Sequence, residues 1–442
     1  MRRVAVVGAG IAGMAAARAL TPHAEVTLFE SEGRFGGHAH TVDVTLGGVT
    51  HGVDTGFLVY NHRTYPQLVR LFDGLQVQTA PSEMSFSVQS RQMGLEWSGT
   101  NLNTVFAQRS NLLRPRFLGM LGDILRFNKL CTALAEQGGE AELAESIEGF
   151  LDRHRFNRWF REGYLLPMIG CIWSCPTDQM LQFPIATLIR FCHNHGLIQV
   201  TDRPQWHTVR GGSRQYVDKL VHGLRDARCG AAVRAVRRLP AGGGPGGVIV
   251  ATDHGSERFD EVVLACHSDQ SLALLVDVSP AEREVLAAVR YQRNRAVLHT
   301  DAAVLPRRRL AWAAWNYARA LQADREQAGV CLHYLINRLQ PLPWSEPVIV
   351  SLNPDPLAPP APSSVLATFD YAHPVFDLAA IRAQQRLPGI QGGGHVWFCG
   401  AWTRYGFHED GLGSALDVAD RLLSSWRGRA GAEGVTAEDA AA

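Results

Sequence analysis

The sequence of 442 residues contains no long apolar segment and very little lysine. A membrane-spanning helix needs roughly 20 apolar residues in a row, and no stretch approaches that length. The apolar run near Met1 is too short for a secretory signal and leads directly into a glycine motif, so we expect a cytoplasmic protein. Basic residues number 43 and acidic residues 42. Because the overall charge is nearly balanced, it does not favour a nucleic-acid partner.

Cysteines at the paired spacing of a zinc site or of a disulfide framework are also absent. The eight cysteines are scattered along the chain, which is typical of thiols in a reducing compartment. We therefore expect no metal site. The chain is longer than one compact core usually holds, so two closely joined domains are the expected organisation.

The first thirty residues carry the pattern of a dinucleotide-binding unit. The segment VAVVGAG, an alanine-rich run and EVTLFE indicate a strand, a helix and a second strand. Gly8, Gly10 and Gly13 form G-x-G-x-x-G between the first strand and the helix, with Ala12 inside the motif. Glu30 ends the second strand. Such glycines allow a tight turn and a close approach of a pyrophosphate to the helix N terminus, and the acidic residue accepts from ribose hydroxyls.

A second glycine segment, SEGRFGGHAHT, favours FAD over NAD as the dinucleotide. Its Arg34, Gly36 and Gly37 resemble the arginine and paired glycines that lie along the pyrophosphate in flavin amine oxidases and their relatives. Thr55 and Gly56, at the end of a short strand expected beside the cofactor, are added to the predicted site.

The C-terminal segment CGAWTRYGFHEDGLGSALDVA resembles the last FAD element of the same superfamily, in which a strand ends in glycine and a helix begins at the flavin. The resemblance implies cofactor contacts at Gly400, Gly411, Leu412 and Ala415. A helix N terminus there would stabilise the negative charge that develops at flavin N1 and O2 on reduction. Val233 matches the position that these proteins set against the adenine.

The resemblance spans the chain and implies an α/β fold, in which a Rossmann-like FAD-binding domain of the amine oxidase type is joined to a discontinuous α+β substrate domain. The FAD-binding domain is expected over residues 1–78, 202–278 and 382–426, and the substrate domain over 79–201 and 279–381. The Gly-, Ala- and Glu-rich residues 427–442 are expected to form a disordered tail.

Several blocks, including GVDTGFLVYNHRTYP, SEMSFSV, AWAAWNY and YGFHEDGL, carry a more specific resemblance. They are similar to a bacterial group of flavin-containing, amine-oxidase-like proteins associated with cyclopropane, methyl-branched and furan fatty acid synthesis. The resemblance implies an apolar substrate, a fatty acyl chain of a phospholipid, that is dehydrogenated or isomerised by hydride transfer to flavin N5. It also implies a lipid methyltransferase as a partner.

Two other functions stay open at the level of sequence. One is an amine, porphyrinogen or carotenoid oxidoreductase of the same superfamily. Many true amine oxidases hold a water near flavin N5 with a lysine, and this chain has no lysine after Lys219, which argues against amine oxidation of that kind. The other is a non-catalytic, flavin-stabilised accessory protein that presents lipid to the methyltransferase.

An acid or base is expected first at His408 and Glu409, directly before the last helix. Asp410 is equally suited to cap that helix. Further candidates are Tyr60, Asn61, His62, Tyr317, His333, Tyr371 and His373.

Residues 106–130 alternate arginines with leucines and phenylalanines. This pattern has two interpretations. The segment is either an amphipathic helix that covers its own core or a peripheral contact with an anionic inner-membrane surface that admits an acyl chain.

Overall fold

The computed structural model describes residues 1–137, 145–173, 180–194, 196, 203–240, 246–319, 331–356 and 358–439. The helices are α1 Ile11–Leu20, α2 Pro66–Gly74, α3 Leu102–Val105, α4 Pro115–Gln137, α5 Ile147–Arg153, α6 Arg158–Phe160, α7 Leu166–Trp173, α8 Ile185–Asn194, α9 Arg214–His222, α10 Ser268–Leu274, α11 Pro280–Ala287, α12 Ile336–Leu339, α13 Leu378–Arg386 and α14 His408–Asp439. Short 3₁₀ turns cover Arg109–Leu113, Ala302–Val304, Arg309–Ala311, Pro362–Ser364, Leu387–Gly389, Gly393–His395 and Ala401–Thr403, and a π-helical turn covers Arg161–Leu165.

The strands are β1 Arg3–Val7, β2 Glu25–Phe29, β3 Thr41–Leu46, β4 Val49–Asp54, β5 Tyr60–Asn61, β6 Thr79–Ser82, β7 Phe86–Ser90, β8 Leu95–Ser98, β9 Trp206–Val209, β10 Asp226–Arg228, β11 Val233–Leu239, β12 Gly247–Thr252, β13 Gly255–Phe259, β14 Glu261–Leu264, β15 Arg290–His299, β16 Trp315–Ala318, β17 Cys331–Leu335, β18 Ile349–Leu352, β19 Val365–Val375 and β20 Val396–Phe398.

A five-stranded parallel sheet in the order β10-β2-β1-β14-β20 forms the first layer of the fold. Helix α1 follows β1 and packs against α14 on this sheet. Strands of parallel sheets are covered on both faces, and this is why β1 and β14 consist almost entirely of buried apolar residues. The predicted α/β class with a Rossmann-like unit at the N terminus is confirmed.

A seven-stranded mixed sheet in the order β19-β15-β18-β17-β16-β7-β8 forms the second region. Its strands come from the chain segments that the sequence assigns to the substrate domain, and helices α4 to α8 belong to the same segments. A small sheet, β5-β9-β6, joins residues from both sides of the predicted boundary at 79, since β6 begins at Thr79 and pairs with β9. The exact domain bounds stay a prediction.

A buried carboxylate, Asp54 at the end of β4, connects three parts of the chain. It accepts hydrogen bonds from the backbone N–H of Ser213 at 2.9 Å and from the hydroxyls of Thr41 and Ser213 at 2.6 and 2.8 Å. The amide of Gln340 donates to it at 2.9 Å. Burial raises the pKa of Asp54 to about 6, and the hydrogen bonds oppose that rise. The β3–β4 hairpin, the start of α9 and the segment after α12 are therefore held together at one point.

The C-terminal segment differs from its prediction. The sequence predicts a disordered tail from residue 427, whereas α14 continues to Asp439. Alanine and glutamate are strong helix formers, so the composition that indicated disorder also suits a helix. Residues 440–442 of the predicted tail lie outside the described residues. Trp426 anchors α14 just before residue 427, because its indole N–H donates to Glu261 at 3.3 Å and Arg2 lies over its ring at 4.8 Å.

Within the described ranges, no helix is long and apolar enough to cross a membrane.

We predict a pH-dependent difference in stability between the wild type and Asp54→Asn. The folded wild type keeps its proton up to about pH 6, whereas the unfolded chain loses it near the ordinary pKa of 3.8. The contribution of Asp54 to the free energy of unfolding is therefore greatest below pH 4, and it falls by roughly 3 kcal/mol as the pH rises to about 6. The amide of the variant does not titrate, so the stability of wild type minus variant should fall over this range.

Urea unfolding of both proteins at pH steps from 4 to 7 measures this difference. A difference that stays constant over the whole range would show that Asp54 ionises normally and is not the buried junction described above.

Candidate active site

The first glycine turn lies between β1 and α1. A Cβ at Gly13 would lie 1.7 Å from the carbonyl oxygen of Gly8, so only glycine allows α1 to pack this closely on the turn. Gly8 has a positive φ of 98°, which glycine adopts without strain. A Cβ at Gly10 would meet no atom within 4 Å, because Gly10 borders the main cavity. The N terminus of α1 therefore borders open space suited to a phosphate.

The second glycine turn docks on the first. The N–H of Gly36 donates to the carbonyl oxygen of Ala9 at 2.9 Å, and a Cβ at Gly37 would lie 3.2 Å from the Cα of Gly10. Arg34 braces this turn by donating to the carbonyl oxygen of Gly37 at 2.8 Å. Arg34, Gly36 and Gly37 line the same cavity as Gly10.

Glu30 sits at the end of β2 beside both turns. Its carboxylate accepts from the N–H of Ala9 at 2.8 Å and from the N–H of Glu32 at 2.9 Å. The side chain is nearly buried and still lines the cavity. A carboxylate held in this way keeps lone pairs that can accept from ribose hydroxyls.

The cavity bordered by these turns has a volume of about 1100 Å³. This exceeds the roughly 1,000 Å³ at the upper end of ordinary small-molecule pockets, so it has room for a dinucleotide and part of a substrate. The glycine turns and Glu30 form part of its lining. Another part consists of side chains that are aromatic, aliphatic or sulfur-containing, namely Met168, Cys171, Ile172, Phe191, Trp206 and Trp315.

Four more of the predicted cofactor residues lie on the cavity wall: Ala12, Thr55, Gly56 and Gly400. The hydroxyl of Thr55 is 2.7 Å from that of Tyr371. A Cβ at Gly56 would lie 2.2 Å from the carbonyl oxygen of His38, so glycine is required there for close packing.

Five predicted residues lie away from the wall, namely Gly13, which packs on Gly8, and Val233, Gly411, Leu412 and Ala415. Leu412 and Ala415 are buried in the apolar core that includes α1, and a Cβ at Gly411 would lie 3.0 Å from Ile11. Val233 is buried in a separate apolar cluster beside the parallel sheet. The contacts that the resemblance implies at Gly411, Leu412 and Ala415 come from backbone N–H groups, and they stay a prediction. Among the residues of this helix, His408 lines the cavity.

These features fit an FAD molecule. Two interlocked glycine turns form a cradle with open space at Gly10, and a fixed carboxylate stands beside it at Glu30. The backbone amides would hold the pyrophosphate and Glu30 the ribose, while the rest of the cavity is large enough for the flavin.

The two predicted catalytic residues point in different directions. His408 lines the cavity and stacks on Phe57 at 3.9 Å, and its Nε2 is 2.5 Å from the hydroxyl of Tyr216. Burial lowers the pKa of His408 to about 3, so it is neutral at ordinary pH. Glu409 instead accepts from the N–H groups of Gln67 and Leu68 at 2.8 and 3.0 Å. It caps α2 and is not among the cavity-lining residues that the structure describes.

Asp410 also acts as a cap, because it accepts from the N–H of Phe407 at 2.9 Å. Burial raises its pKa to about 6. Of the further candidates, Tyr371 and His373 line the cavity, whereas Tyr60, Asn61, His62, Tyr317 and His333 do not.

Sequence reasoning missed His38, which lies within the second glycine segment. It is packed between Tyr371 and His373 with both ring centroids at 5.1 Å, and its buried Nε2 has no hydrogen-bond partner among the described residues. Burial holds the pKa of His38 well below its usual range and lowers that of His373 to about 4. The sequence did contain a sign of this role, because His38 directly follows Gly37. A residue that follows a cofactor-binding turn is well placed to line the same site.

The fold and the cradle define a dinucleotide-binding enzyme with an attached substrate cavity. Its residues 11–299 match the family model of flavin-containing amine oxidoreductases. The chain belongs to this family. Membership sets FAD as the cofactor and oxidoreduction as the class of chemistry, and it confirms the predicted superfamily and the predicted cofactor.

The names of proteins similar to this chain refer to different substrates. A Mycobacterium tuberculosis protein named as a putative flavin-containing monoamine oxidase, AofH, is 26% identical over 299 residues, which cover 64% of this chain and 61% of that relative. A fatty acid isomerase from P. acnes has a TM-score of 0.68 at 14% identity over 95% of this chain and 98% of its own. Cyclohexylamine oxidase from Brevibacterium oxydans has a TM-score of 0.63 at 15% identity over 96% and 99%. At such identities the structural likeness concerns the fold.

We predict that Gly10→Ala folds normally but binds FAD about tenfold more weakly or worse, because an added methyl group in the cradle costs roughly 1–3 kcal/mol. The methyl group meets no protein atom, so only the cofactor should feel it. Flavin absorbance per chain after dialysis measures retention, and circular dichroism checks the fold.

The matched control is Gly33→Ala. Its added Cβ also meets nothing within 4 Å, and Gly33 does not line the cavity. Equal flavin retention in the two variants would place the pyrophosphate somewhere other than at Gly10.

Proposed function

We propose that the protein is an FAD-dependent oxidoreductase that dehydrogenates or isomerises the fatty acyl chain of a phospholipid. Bound FAD would accept a hydride from a C–H bond that is allylic or adjacent to a methyl branch. In isomerisation the hydride would return to the chain at another carbon. In dehydrogenation the chain would also lose a proton to water, and oxygen or a redox protein would take the electrons from the reduced flavin. The observation that carries the proposal is the apolar part of the cavity lining, formed by Met168, Cys171, Ile172, Phe191, Trp206 and Trp315. An acyl chain needs such a wall, and a hydride acceptor needs a site with little water.

Three histidines on the cavity wall carry no charge. His38, His373 and His408 are all kept neutral by burial, which lowers the pKa of each. No histidine of this group therefore offers a charge to a substrate at ordinary pH. The absence of lysine after Lys219 is a point against amine oxidation that depends on a lysine-held water.

Tyr216 fixes the proton on His408. The tyrosine is fully buried, and the only hydrogen bond of its hydroxyl within the described part of the chain goes to Nε2 of His408. If the hydroxyl accepted this bond, its own proton would be buried without a partner, at a cost of about 1–3 kcal/mol. The hydroxyl therefore donates, and the neutral imidazole carries its proton on Nδ1.

His408 is thus a hydrogen-bond donor on the cavity wall. In the proposed reaction, bound FAD supplies the hydride acceptor. The aromatic walls exclude water, and His408 orients a group on the flavin or the substrate through Nδ1–H.

The alternatives make different demands. An amine substrate, as in the cyclohexylamine oxidase of similar fold, could be held by aromatic rings through cation–π contacts. An accessory protein would bind FAD and lipid without turnover. The lipid methyltransferase stays the partner that the sequence resemblance implies. A normal yield of its product with the Gly10→Ala variant would support the accessory role, whereas loss of the lipid product would support an oxidoreductase that acts on lipid.

We predict that anaerobic addition of phospholipids with unsaturated or methyl-branched chains reduces the bound flavin, and that saturated straight-chain lipids do not. Loss of flavin absorbance measures the reduction, and mass spectrometry identifies the product. A loss of two hydrogens indicates a dehydrogenase, and a shifted double bond without net bleaching indicates an isomerase.

Putrescine and cyclohexylamine are the comparison substrates in this experiment. Reduction by either amine, with no response to any lipid, would replace the proposal with an amine oxidoreductase.

We predict that Tyr216→Phe lowers the rate of flavin reduction about tenfold, as expected for the loss of one oriented hydrogen bond. Because the pKa of His408 is about 3, the wild-type rate should show no titration of this residue between pH 5 and 9. In the variant the imidazole is free to change tautomer, so KM should change less than kcat.

Tyr60→Phe is the control, because Tyr60 is buried equally well and does not line the cavity. Equal effects of the two changes on rate would mean that Tyr216 acts only through packing.

A further inference from the structure

Five leucines in residues 102–125 are exposed to an unusual degree, and we call them the leucine patch. Leu102, Leu112, Leu113, Leu118 and Leu125 are 79, 50, 88, 44 and 60% exposed. They lie on α3, on the following 3₁₀ turn and on the first half of α4. Isolated exposed leucines are ordinary on protein surfaces, but a cluster in one short segment indicates an interaction site.

The opposite face of α4 already covers a core. Phe117, Met120, Phe127 and Cys131 are fully buried in the apolar cluster of the substrate helices. The buried face of α4 therefore agrees with the first interpretation of residues 106–130, in which the helix covers its own core. An ordinary amphipathic helix then has a polar outer face. Leu118 and Leu125 are seven residues apart and therefore lie together on the outer face, which the first interpretation does not explain.

Positive side chains without an ion pair lie in the same segment as the leucine patch. Arg109, Arg114, Arg116 and Lys129 form no ion pair with any residue in the described ranges, and Arg126 pairs with Asp123. Arg116 and Lys129 are exposed and make no hydrogen bond there either. The chain as a whole has a net charge of only +1, so positive charge is concentrated in this segment.

A second arginine segment adds to the same surface. The turn Arg309–Ala311 packs on α3. It brings Arg307 and Arg309, whose side chains form no ion pair with a described carboxylate, together with the exposed Leu310.

We propose that the leucine patch and its arginines dock on the surface of an anionic phospholipid bilayer. Leucines that enter the headgroup region, ringed by arginines that meet anionic lipids, are the pattern of a protein that lies on a membrane. The position of the leucine patch suits the entry of an acyl chain into the cavity. Helix α4 packs on α8, and Phe191 of α8 lines the cavity. This last point rests on the proposed function, whereas docking itself does not.

Co-sedimentation of the FAD-loaded full chain with vesicles tests the docking. The vesicles contain phosphatidylcholine either alone or mixed with phosphatidylglycerol. The wild type should bind the mixed vesicles, should bind the neutral vesicles far less and should be released by salt. The pair Leu112→Ser and Leu113→Ser, and separately the pair Arg116→Glu and Lys129→Glu, should each reduce binding about tenfold or more.

The matched control carries Leu366→Ser and Leu378→Ser. These leucines are 42 and 48% exposed and lie outside the leucine patch. The control should bind vesicles like the wild type. Failure of the wild type to bind any vesicle would overturn the inference. Equal loss of binding in the control, or binding that neither charge nor salt affects, would also overturn it.

The outcome is separate from that of the proposed function. Reduction of the flavin by lipid dispersed in detergent, without vesicle binding, would contradict the docking and leave the proposed function intact. Vesicle binding with neither flavin reduction nor any change in the lipid would support the docking and contradict the proposed function.

Discussion

The structure depends on the close packing of α1 against the first glycine turn. The 1.7 Å separation that a Cβ at Gly13 would have from Gly8 shows that the helix has no room to accept another residue there. This contact sets the N terminus of α1 at the cavity. The second glycine turn bonds to Ala9 and Glu30 accepts from the same residue, so both depend on the position of the first turn. Three segments that lie close together in the sequence thus form one cradle.

The other constraint is burial of polar groups where the cofactor and substrate regions meet. Asp54 joins the hairpin, α9 and the end of α12, and Thr55 next to it contacts Tyr371 of the large sheet. Burial of His38 and of His373 lowers the pKa of each and keeps both neutral. A site for hydride transfer benefits from such an environment, because fixed neutral donors can orient the reactants without admitting water.

Sequence predicted the parts of the site that depend on local spacing. The glycine turns and Glu30 could be identified because their roles follow from positions within one strand-turn-helix-strand unit. The role of Glu409 could not, because it caps α2, whose residues Gln67 and Leu68 lie far away in the chain. The close approach of Gly411 to Ile11, where a Cβ would lie 3.0 Å away, likewise appears only once α1 and α14 pack.

The composition of residues 106–130 also left two interpretations that the structure separates by face. The inner face of α4 is apolar because it covers a core, and the outer face exposes Leu118 and Leu125. Irregular turns precede α4, so the sequence alone does not show where the helix begins. It therefore does not show which leucines lie on which face. Burial assigns each of them.

The most direct test of the central claim is a stopped-flow measurement of flavin reduction by a phospholipid whose acyl chain carries deuterium at the reacting carbon. Hydride transfer to the flavin predicts transient or lasting reduction that is several-fold slower with the deuterated chain than with the ordinary one. A flavin that is not reduced by either lipid, or that is reduced at the same rate by both, would contradict hydride transfer from the acyl chain as the reaction that limits flavin reduction.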